Sequence, residues 1–156
     1  MRKSLNGLVV VAALAAGLGP IAAAKAADPA ETVKLRQDTM KRMGGDLKAI
    51  REYGEGKGDH EKAVAAANDI VETVPKLPDL FPKGTGMAEF PGKSGAKPEI
   101  WAEWDNFLGH DKVTEEKAKE LLGKVKAADK TAAATGPGDL WDNGCQTCHK
   151  PFRAKI

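Results

Sequence analysis

Two cysteines and a histidine near the carboxy terminus are the residues of this chain best suited to chemistry. Cys145, Cys148 and His149 form the pattern C-x-x-C-H, which is the attachment sequence of a c-type haem. Two thiols at this spacing can each add across one vinyl group of a haem, and the histidine that follows donates an imidazole nitrogen to the iron. We therefore predict one covalent haem per chain, with His149 as the proximal iron ligand.

A C-x-x-C pair also serves thiol–disulfide exchange, half of a zinc site, or a plain disulfide. The redox use normally follows a strand in a βαβ pattern, and no such pattern surrounds these cysteines. A zinc site needs four ligands, whereas the remaining candidates in the sequence are His60 and His110. We predict that both of these histidines are solvated surface residues, so neither is expected to bind the iron from the distal side.

The first 26 residues are predicted to be a cleaved secretory signal peptide, followed by one domain over residues 27–156. Arg2 and Lys3 give a positive start, Leu8–Leu18 is a short apolar run, and Ala24–Ala26 is an A-x-A cleavage pattern. Because the run is too short to span a bilayer comfortably, an uncleaved anchor is the weaker alternative. We expect a mature protein in the periplasm that is not embedded in a membrane.

The leader also accounts for most of the positive formal charge. The chain has 24 basic and 22 acidic side chains. Arg2, Lys3 and Lys25 would leave with the leader, which contains no acid, so 21 basic side chains would face 22 acidic ones. A nearly neutral mature chain argues against nucleic-acid binding, which needs a basic patch with aromatic residues.

The elements that must position the motif are predicted to be helices. A seam of residues at spacings of three and four predicts a first helix over about 29–53; it contains Val33, Arg36, Met40, Met43, Leu47 and Ile50. Asp59 is predicted to cap a second helix that ends near 75–78, and 81–97 reads as a long crossover loop. A third helix is predicted from Pro98, with an interruption or a kink at 109–111 and a capping signal at 114–116. A break at 135–138 precedes a final helix from about 139.

This pattern predicts an all-α fold, an antiparallel four-helix bundle with the haem attached near the carboxy terminus. A bundle of this size has a thin core, and a covalent haem would add a large apolar slab between the helices. We therefore expect the apoprotein to be poorly folded.

Arg36 and Met40 are the notable members of the first seam. Arg36 either extends to solvent at the bundle edge or pairs with a haem propionate. The Met40 thioether is the candidate distal iron ligand, with Met43 and Met87 as alternatives and an open iron as the other outcome. Near the chain end, Phe152 is predicted to pack against the haem edge. Arg153 is predicted to lie near the proximal imidazole or a propionate, unless this last turn is frayed and solvent-exposed.

Four segments together resemble the class II cytochromes c, the family of cytochrome c′ and its low-spin relatives. They are Leu35-Arg36-Gln37 with Met40-Lys41 and Gly44, Leu77–Pro82, Lys97–Trp101 and Cys145–Arg153. The stretch 136–143 departs from the resemblance, because it interrupts what the family has as a continuous fourth helix.

The resemblance implies one of two functions, neither of them enzymatic. The expected one is single-electron transfer by a low-spin haem with His149 and Met40 as axial ligands, serving redox partner proteins of an electron-transport chain. The alternative is a five-coordinate, cytochrome c′-like haem that binds nitric oxide or carbon monoxide. A haem peroxidase is a weaker third reading. Family members often form homodimers through their first two helices, but the charged faces here leave monomer and dimer both open.

Overall fold

The computed structural model describes residues 28–156, so the proposed leader lies outside the described residues. Within this range the chain is helical and contains no β-strand, which confirms the all-α prediction. The helices are α1 (Pro29–Gly54), α2 (His60–Thr73), α3 (Glu99–Ala102), α4 (Trp104–Lys126), α5 (Lys130–Leu140) and α6 (Gln146–Phe152). A 3₁₀ segment covers Val74–Leu80, and a π-helical turn covers Trp141–Cys145. None of the helices in this range is long and apolar enough to cross a membrane.

Four helices form the predicted bundle. α1 packs against α2 and α5, and α4 packs against the same two helices. The end of α1 lies directly on the start of α5, since a Cβ at Gly54 would lie 2.2 Å from the backbone nitrogen of Ala134. α1 and α5 therefore run in opposite directions, as an antiparallel bundle requires.

Aspartates begin three of the bundle helices. The carboxylates of Asp28, Asp59 and Asp129 accept backbone hydrogen bonds of 2.8, 3.0 and 2.9 Å from residues two or three positions further on. Such a cap satisfies an otherwise unpaired N–H of the first turn and contributes about 1 kcal/mol. The cap at Asp59 was predicted from the sequence.

The interior consists of two apolar clusters. The larger one, here called the bundle core, lies among α1, α2, α4 and α5 and includes Met43, Ile50, Ile70, Val125 and Leu140. The smaller one, here called the aromatic cluster, has Ile100, Phe107 and Phe152 at its centre; Phe81, Trp101 and Trp104 pack against it.

α4 differs from the prediction at both of its irregular points. The helix continues through 109–111, and the break falls earlier, at Glu103, whose backbone leaves the helical region (φ −121°, ψ 46°). Thr114 is a buried residue inside the helix, and its hydroxyl donates to the His110 carbonyl (3.0 Å). Of the two alternatives at 109–111, the interruption was therefore wrong, and so was the capping role of 114–116.

The predicted break at 135–138 is also wrong, because α5 runs through Gly136 and Pro137. Pro137 is buried, and a Cβ at Gly136 would lie 2.6 Å from Leu121 Cδ1. The glycine thus allows α5 to approach α4 closely, and packing holds the helix despite the proline. α5, the π turn and α6 follow one another without a gap, so the fourth helix is nearly continuous.

The last residues are joined to the crossover loop by backbone hydrogen bonds. The Ala154 N–H donates to the Gly95 carbonyl (2.8 Å), and the Lys97 N–H donates to the Phe152 carbonyl (3.0 Å). This carboxy-terminal clasp holds the end of α6 beside the loop and the aromatic cluster.

Candidate cofactor site

The C-x-x-C-H motif lies where the π turn meets α6, at the junction of the two apolar clusters. Cys145 ends the π turn and packs against the bundle core. Cys148, in α6, packs against the aromatic cluster. Both thiols are free and half-buried. A flat apolar ring bonded to both sulfurs would therefore have apolar side chains on each side.

The electrostatic surroundings do not suit thiolate chemistry. Burial raises the pKa of both thiols, and for Cys148 the nearby carboxylate of Asp111 and the Cys145 thiol add to the effect, giving a pKa of about 12. A reactive dithiol needs a lowered thiol pKa. In addition, residues 28–156 hold no group of three His, Cys, Asp or Glu side chains that could bind a metal ion. The dithiol and zinc interpretations are thus disfavoured.

His149 has the properties of an imidazole ready to bind a metal. Burial, and secondarily the charge of Arg153, lower its pKa, so the ring is neutral at pH 7. Neutral imidazole is the form that coordinates metals. Its Nδ1 is buried and has no hydrogen-bond partner among the described residues. A half-buried neutral imidazole beside two free thiols fits a covalent haem.

Aromatic rings form the wall next to Cys148. Phe152 is 2% exposed and meets Phe107 edge to face at 5.5 Å between ring centroids. Phe107 also contacts Phe81 at 5.0 Å and Trp104 at 5.2 Å. Phe152 is therefore ordered and buried, not frayed, and its contact with the haem edge stays a prediction.

Arg153 lies beyond the end of α6, with an exposed side chain. Its backbone N–H donates to the His149 carbonyl (3.0 Å), and its charge acts on the imidazole as described above. The backbone thus holds it beside His149, while its contact with haem or a propionate stays a prediction.

Arg36 is buried, with 6% of the residue exposed, so it does not extend to solvent. One guanidinium nitrogen donates to the Leu80 carbonyl (3.1 Å) and Thr85 Oγ1 (3.2 Å). The other donates to the Thr85 carbonyl (2.9 Å) and Ser94 Oγ (2.8 Å). The guanidinium also lies over the Phe81 ring, 4.5 Å from its centroid. All four hydrogen bonds go to neutral oxygens of residues 80–94, here called the crossover segment, and no carboxylate among residues 28–156 forms a hydrogen bond or an ion pair with this buried charge.

Sequence reasoning did not identify the hydroxyl partners of Arg36. Thr85 and Ser94 are almost fully buried although they lie in a glycine- and proline-rich loop. Two signals were available in the sequence. A buried arginine needs oxygen partners, and Thr85 and Ser94 are small hydroxyl residues of the predicted crossover loop.

The three methionines considered as distal ligands differ in their surroundings. Met43 is buried inside the bundle core, and Met87 is 40% exposed in the crossover loop. Met40 is partly buried and packs against the same core that contacts Cys145. Iron ligation by Met40 stays a prediction.

Neither His60 nor His110 is a solvated surface residue, so that prediction was wrong. Nε2 of His60 lies 2.8 Å from the Val125 carbonyl, and its ring packs 4.9 Å from that of Tyr53. The His110 ring meets Phe152 at 5.8 Å. Both are half-buried: His60 contacts Val125 of α4, whereas His110 lies in α4 itself and packs against Phe152 of α6.

Sequence analysis also missed Trp141. Its ring lies 5.7 Å from the ring of His149, with an angle of 71° between the two planes. Trp141 and Cys145 are four positions apart and would share a helix face, which the sequence shows. The contact between Trp141 and His149 depends on the π turn, which has no recognised sequence signal.

Comparison with known proteins assigns the family. A family model described as Cytochrome C′ matches residues 31–153. A cytochrome c′ from Rhodospirillum rubrum is 36% identical over 158 aligned residues, which cover 96% of this chain and 99% of the relative. The chain belongs to the cytochrome c′ family. The class II resemblance of the sequence is thereby confirmed, and with it the covalent haem c, whose two attachment cysteines are present as Cys145 and Cys148.

Solved structures of cytochromes c′ share the fold. Cytochrome c′ from Rhodobacter spheriodes is 25% identical, with a TM-score of 0.71, and the match covers 83% of this chain and all of that one. A model of oxidised cytochrome c556 from R. palustris also shares the fold. It is 30% identical, with a TM-score of 0.64, and the match covers 81% of this chain and 98% of that one.

Proposed function

We propose that this cytochrome c′ family member is a periplasmic haem protein whose iron is bound by His149 on one side and takes nitric oxide or carbon monoxide on the other. The observation that carries the proposal is the match to a cytochrome c′ over nearly the whole length of both chains. It supports the five-coordinate alternative better than the low-spin His/Met arrangement. A structure with the same fold, 22% identical, is a nitric oxide complex of a cytochrome c prime variant from Alcaligenes xylosoxidans.

Each residue of the site would have its own role. The haem, when bound, supplies the iron that binds the gas. Cys145 and Cys148 would fix the ring between the bundle core and the aromatic cluster, and Phe152 and Arg153 would border it. The neutral imidazole of His149 would hold the iron without bringing a second charge into a half-buried site.

Arg36 would pair with a haem propionate. Its guanidinium lies over Phe81, which packs against the aromatic cluster next to Cys148. A buried cation with only neutral partners is costly. A propionate carboxylate is the anion that the haem would bring to this place, and a charge-assisted hydrogen bond would offset that cost.

Single-electron transfer is the second candidate function. The observation that favours it is the position of Met40, partly buried on α1 against the core that contacts Cys145. Electron transfer to partner proteins would need Met40 to close the open iron face, whereas gas binding needs that face free. Both functions need a reductant, because an electron carrier must be reduced before it passes its electron on and carbon monoxide binds ferrous haem. We propose that a redox protein of an electron-transport chain supplies this electron.

Visible spectra of the oxidised and reduced holoprotein test the proposal. We expect a high-spin ferric spectrum without the far-red band of methionine–iron ligation, and rapid binding of carbon monoxide after reduction. Met40→Leu should leave the spin state unchanged. Met43→Leu is the matched control, because this methionine is buried in the bundle core and its loss should not change the spectrum in either case. A low-spin wild type that becomes high-spin only in Met40→Leu would overturn gas binding in favour of electron transfer.

We also propose that the protein forms a homodimer. One solved relative, 25% identical, is a cytochrome c′ with a ligand-controlled dimer dissociation. In this chain Leu35 on α1 is 55% exposed, which leaves one large apolar side chain free for a partner. Sedimentation of the holoprotein with and without carbon monoxide tests for a dimer; a single monomeric species in both would contradict it.

A further inference from the structure

Trp141 occupies an unusual place beside the motif. It is the first residue of the π turn and is 38% exposed. Its ring meets the His149 ring edge to face at 5.7 Å. It also lines a surface cavity of about 300 Å³ between α1 and the fourth helix, whose other walls are Gly44, Leu47, Lys48, Arg51 and Pro137. The indole therefore stands between a water-accessible cavity and the imidazole.

The π turn explains how residues eight positions apart come into contact. In a regular α-helix, positions 141 and 149 would point about 80° apart around the axis. A π turn has i→i+5 hydrogen bonds and holds more residues per turn, which reduces this angle. The turn covers Trp141–Cys145 and so brings the indole onto the face that carries His149. Such turns frequently occur at functional sites.

His149 lacks the partner that metal-binding histidines usually have. The second ring nitrogen normally donates to a carboxylate, a carbonyl or water, which makes the imidazole a stronger ligand. Here the Nδ1 atom is buried without a partner among residues 28–156, and the ring packed against the imidazole is that of Trp141. An indole has a donor N–H and no in-plane acceptor.

We propose that Trp141 is a positioning residue that covers the proximal imidazole and keeps both water and protein acceptors away from it. The inference rests on the proposed role of His149 as the proximal ligand. The indole holds the plane of the imidazole by edge-to-face packing. By leaving the ring without an acceptor, it keeps the iron–histidine bond weak, and by excluding water it disfavours the ferric charge.

Two substitutions separate this role from simple packing. Trp141→Gln places an amide oxygen near the imidazole and opens the cover to water from the cavity. We expect the iron–histidine stretching band of the ferrous protein, measured by resonance Raman spectroscopy, to shift to higher frequency. The reduction potential should shift downward, because a hydrogen-bonded, more basic imidazole and nearby water both favour ferric iron. Trp141→Phe keeps an aromatic edge without an acceptor, and both readouts should stay at their wild-type values.

The outcomes are distinct. Circular dichroism checks that both variants retain the wild-type helix content. If Gln leaves the Raman band and the potential unchanged, or if Phe shifts them as far as Gln does, the proposal for Trp141 is overturned. A low-spin wild type would instead contradict gas binding. The orientation of the imidazole would then be measured by the haem-methyl NMR shifts of the same variants. Shifts that differ from wild type in Trp141→Gln but not in Trp141→Phe support the role of Trp141, and shifts that are the same in both variants reject it.

Discussion

Arg36 shows how one residue can serve two parts of the molecule. Its guanidinium joins α1 to the crossover segment through Leu80, Thr85 and Ser94. Burial lowers its pKa, but not enough for a guanidinium to lose its proton near neutral pH. The crossover segment therefore depends on a permanent charge in the protein interior.

Replacing Arg36 tests this dependence. Arg36→Gln should lower the free energy of unfolding of the holoprotein by about 3 kcal/mol, because it removes charged hydrogen bonds and leaves buried carbonyl oxygens without a donor. Arg51→Gln is the control, since Arg51 is exposed in the same helix and its loss should cost less than about 0.5 kcal/mol. Urea unfolding followed by circular dichroism measures both, and equal effects would refute the structural role.

Among the helices, α1 and α5 approach each other closely where α1 ends and α5 begins. Gly54 is required there because a Cβ would lie within 2.6 Å of three backbone atoms of Ala133 and Ala134. Gly45 lies in the same helix, but a Cβ there would meet nothing within 4 Å. Gly45 and Gly54, two of the three glycines of α1, thus have opposite roles.

Alanine at these two positions should have opposite effects on stability. Gly54→Ala forces α1 and α5 apart and should destabilise the protein by more than about 2 kcal/mol. Gly45→Ala should stabilise it by about 0.5–1 kcal/mol, because alanine loses less conformational freedom in a helix than glycine does. Thermal unfolding of the two holoproteins measures the difference, and a loss of stability at both positions would show that the assignment of Gly45 is wrong.

The regular parts of the helices could be predicted, and their irregular parts could not. The seam from Val33 to Ile50 predicts α1 almost to the residue, because its apolar spacing follows the helical repeat. Pro137 misled the prediction, since tertiary packing outweighs the local preference of a proline and of the glycines beside it. In the site, the bond-forming residues followed from the motif. The partners of Arg36 and the position of Trp141 depend on the crossover loop and the π turn, which only the folded chain brings into contact.

At the scale of the whole molecule, the haem motif stands between two separate clusters. Cys145 contacts the bundle core and Cys148 contacts the aromatic cluster. A haem bonded to both would join the two clusters into one apolar interior. The free energy of folding would therefore include the apolar area that the haem buries, at about 25 cal/mol per Å².

The protein without haem should accordingly be poorly folded. Cys145→Ala/Cys148→Ala, prepared free of haem, should keep helical circular dichroism but lose a sharp thermal transition, because neither cluster alone provides a sufficient core. Calorimetry and near-ultraviolet circular dichroism of this variant and of the holoprotein provide the comparison. A cooperative transition in the haem-free variant would contradict the expectation.

The carboxy-terminal clasp has a practical consequence for anyone who handles this protein. The Ala154 N–H donates to the Gly95 carbonyl, and Ile156 lies only two residues further on. An affinity tag fused directly after Ile156 would disturb the residues that hold the crossover loop in place. It would thereby also disturb Thr85 and Ser94, which accept hydrogen bonds from Arg36. A purification handle is therefore better placed directly ahead of Asp28, which is exposed and precedes α1.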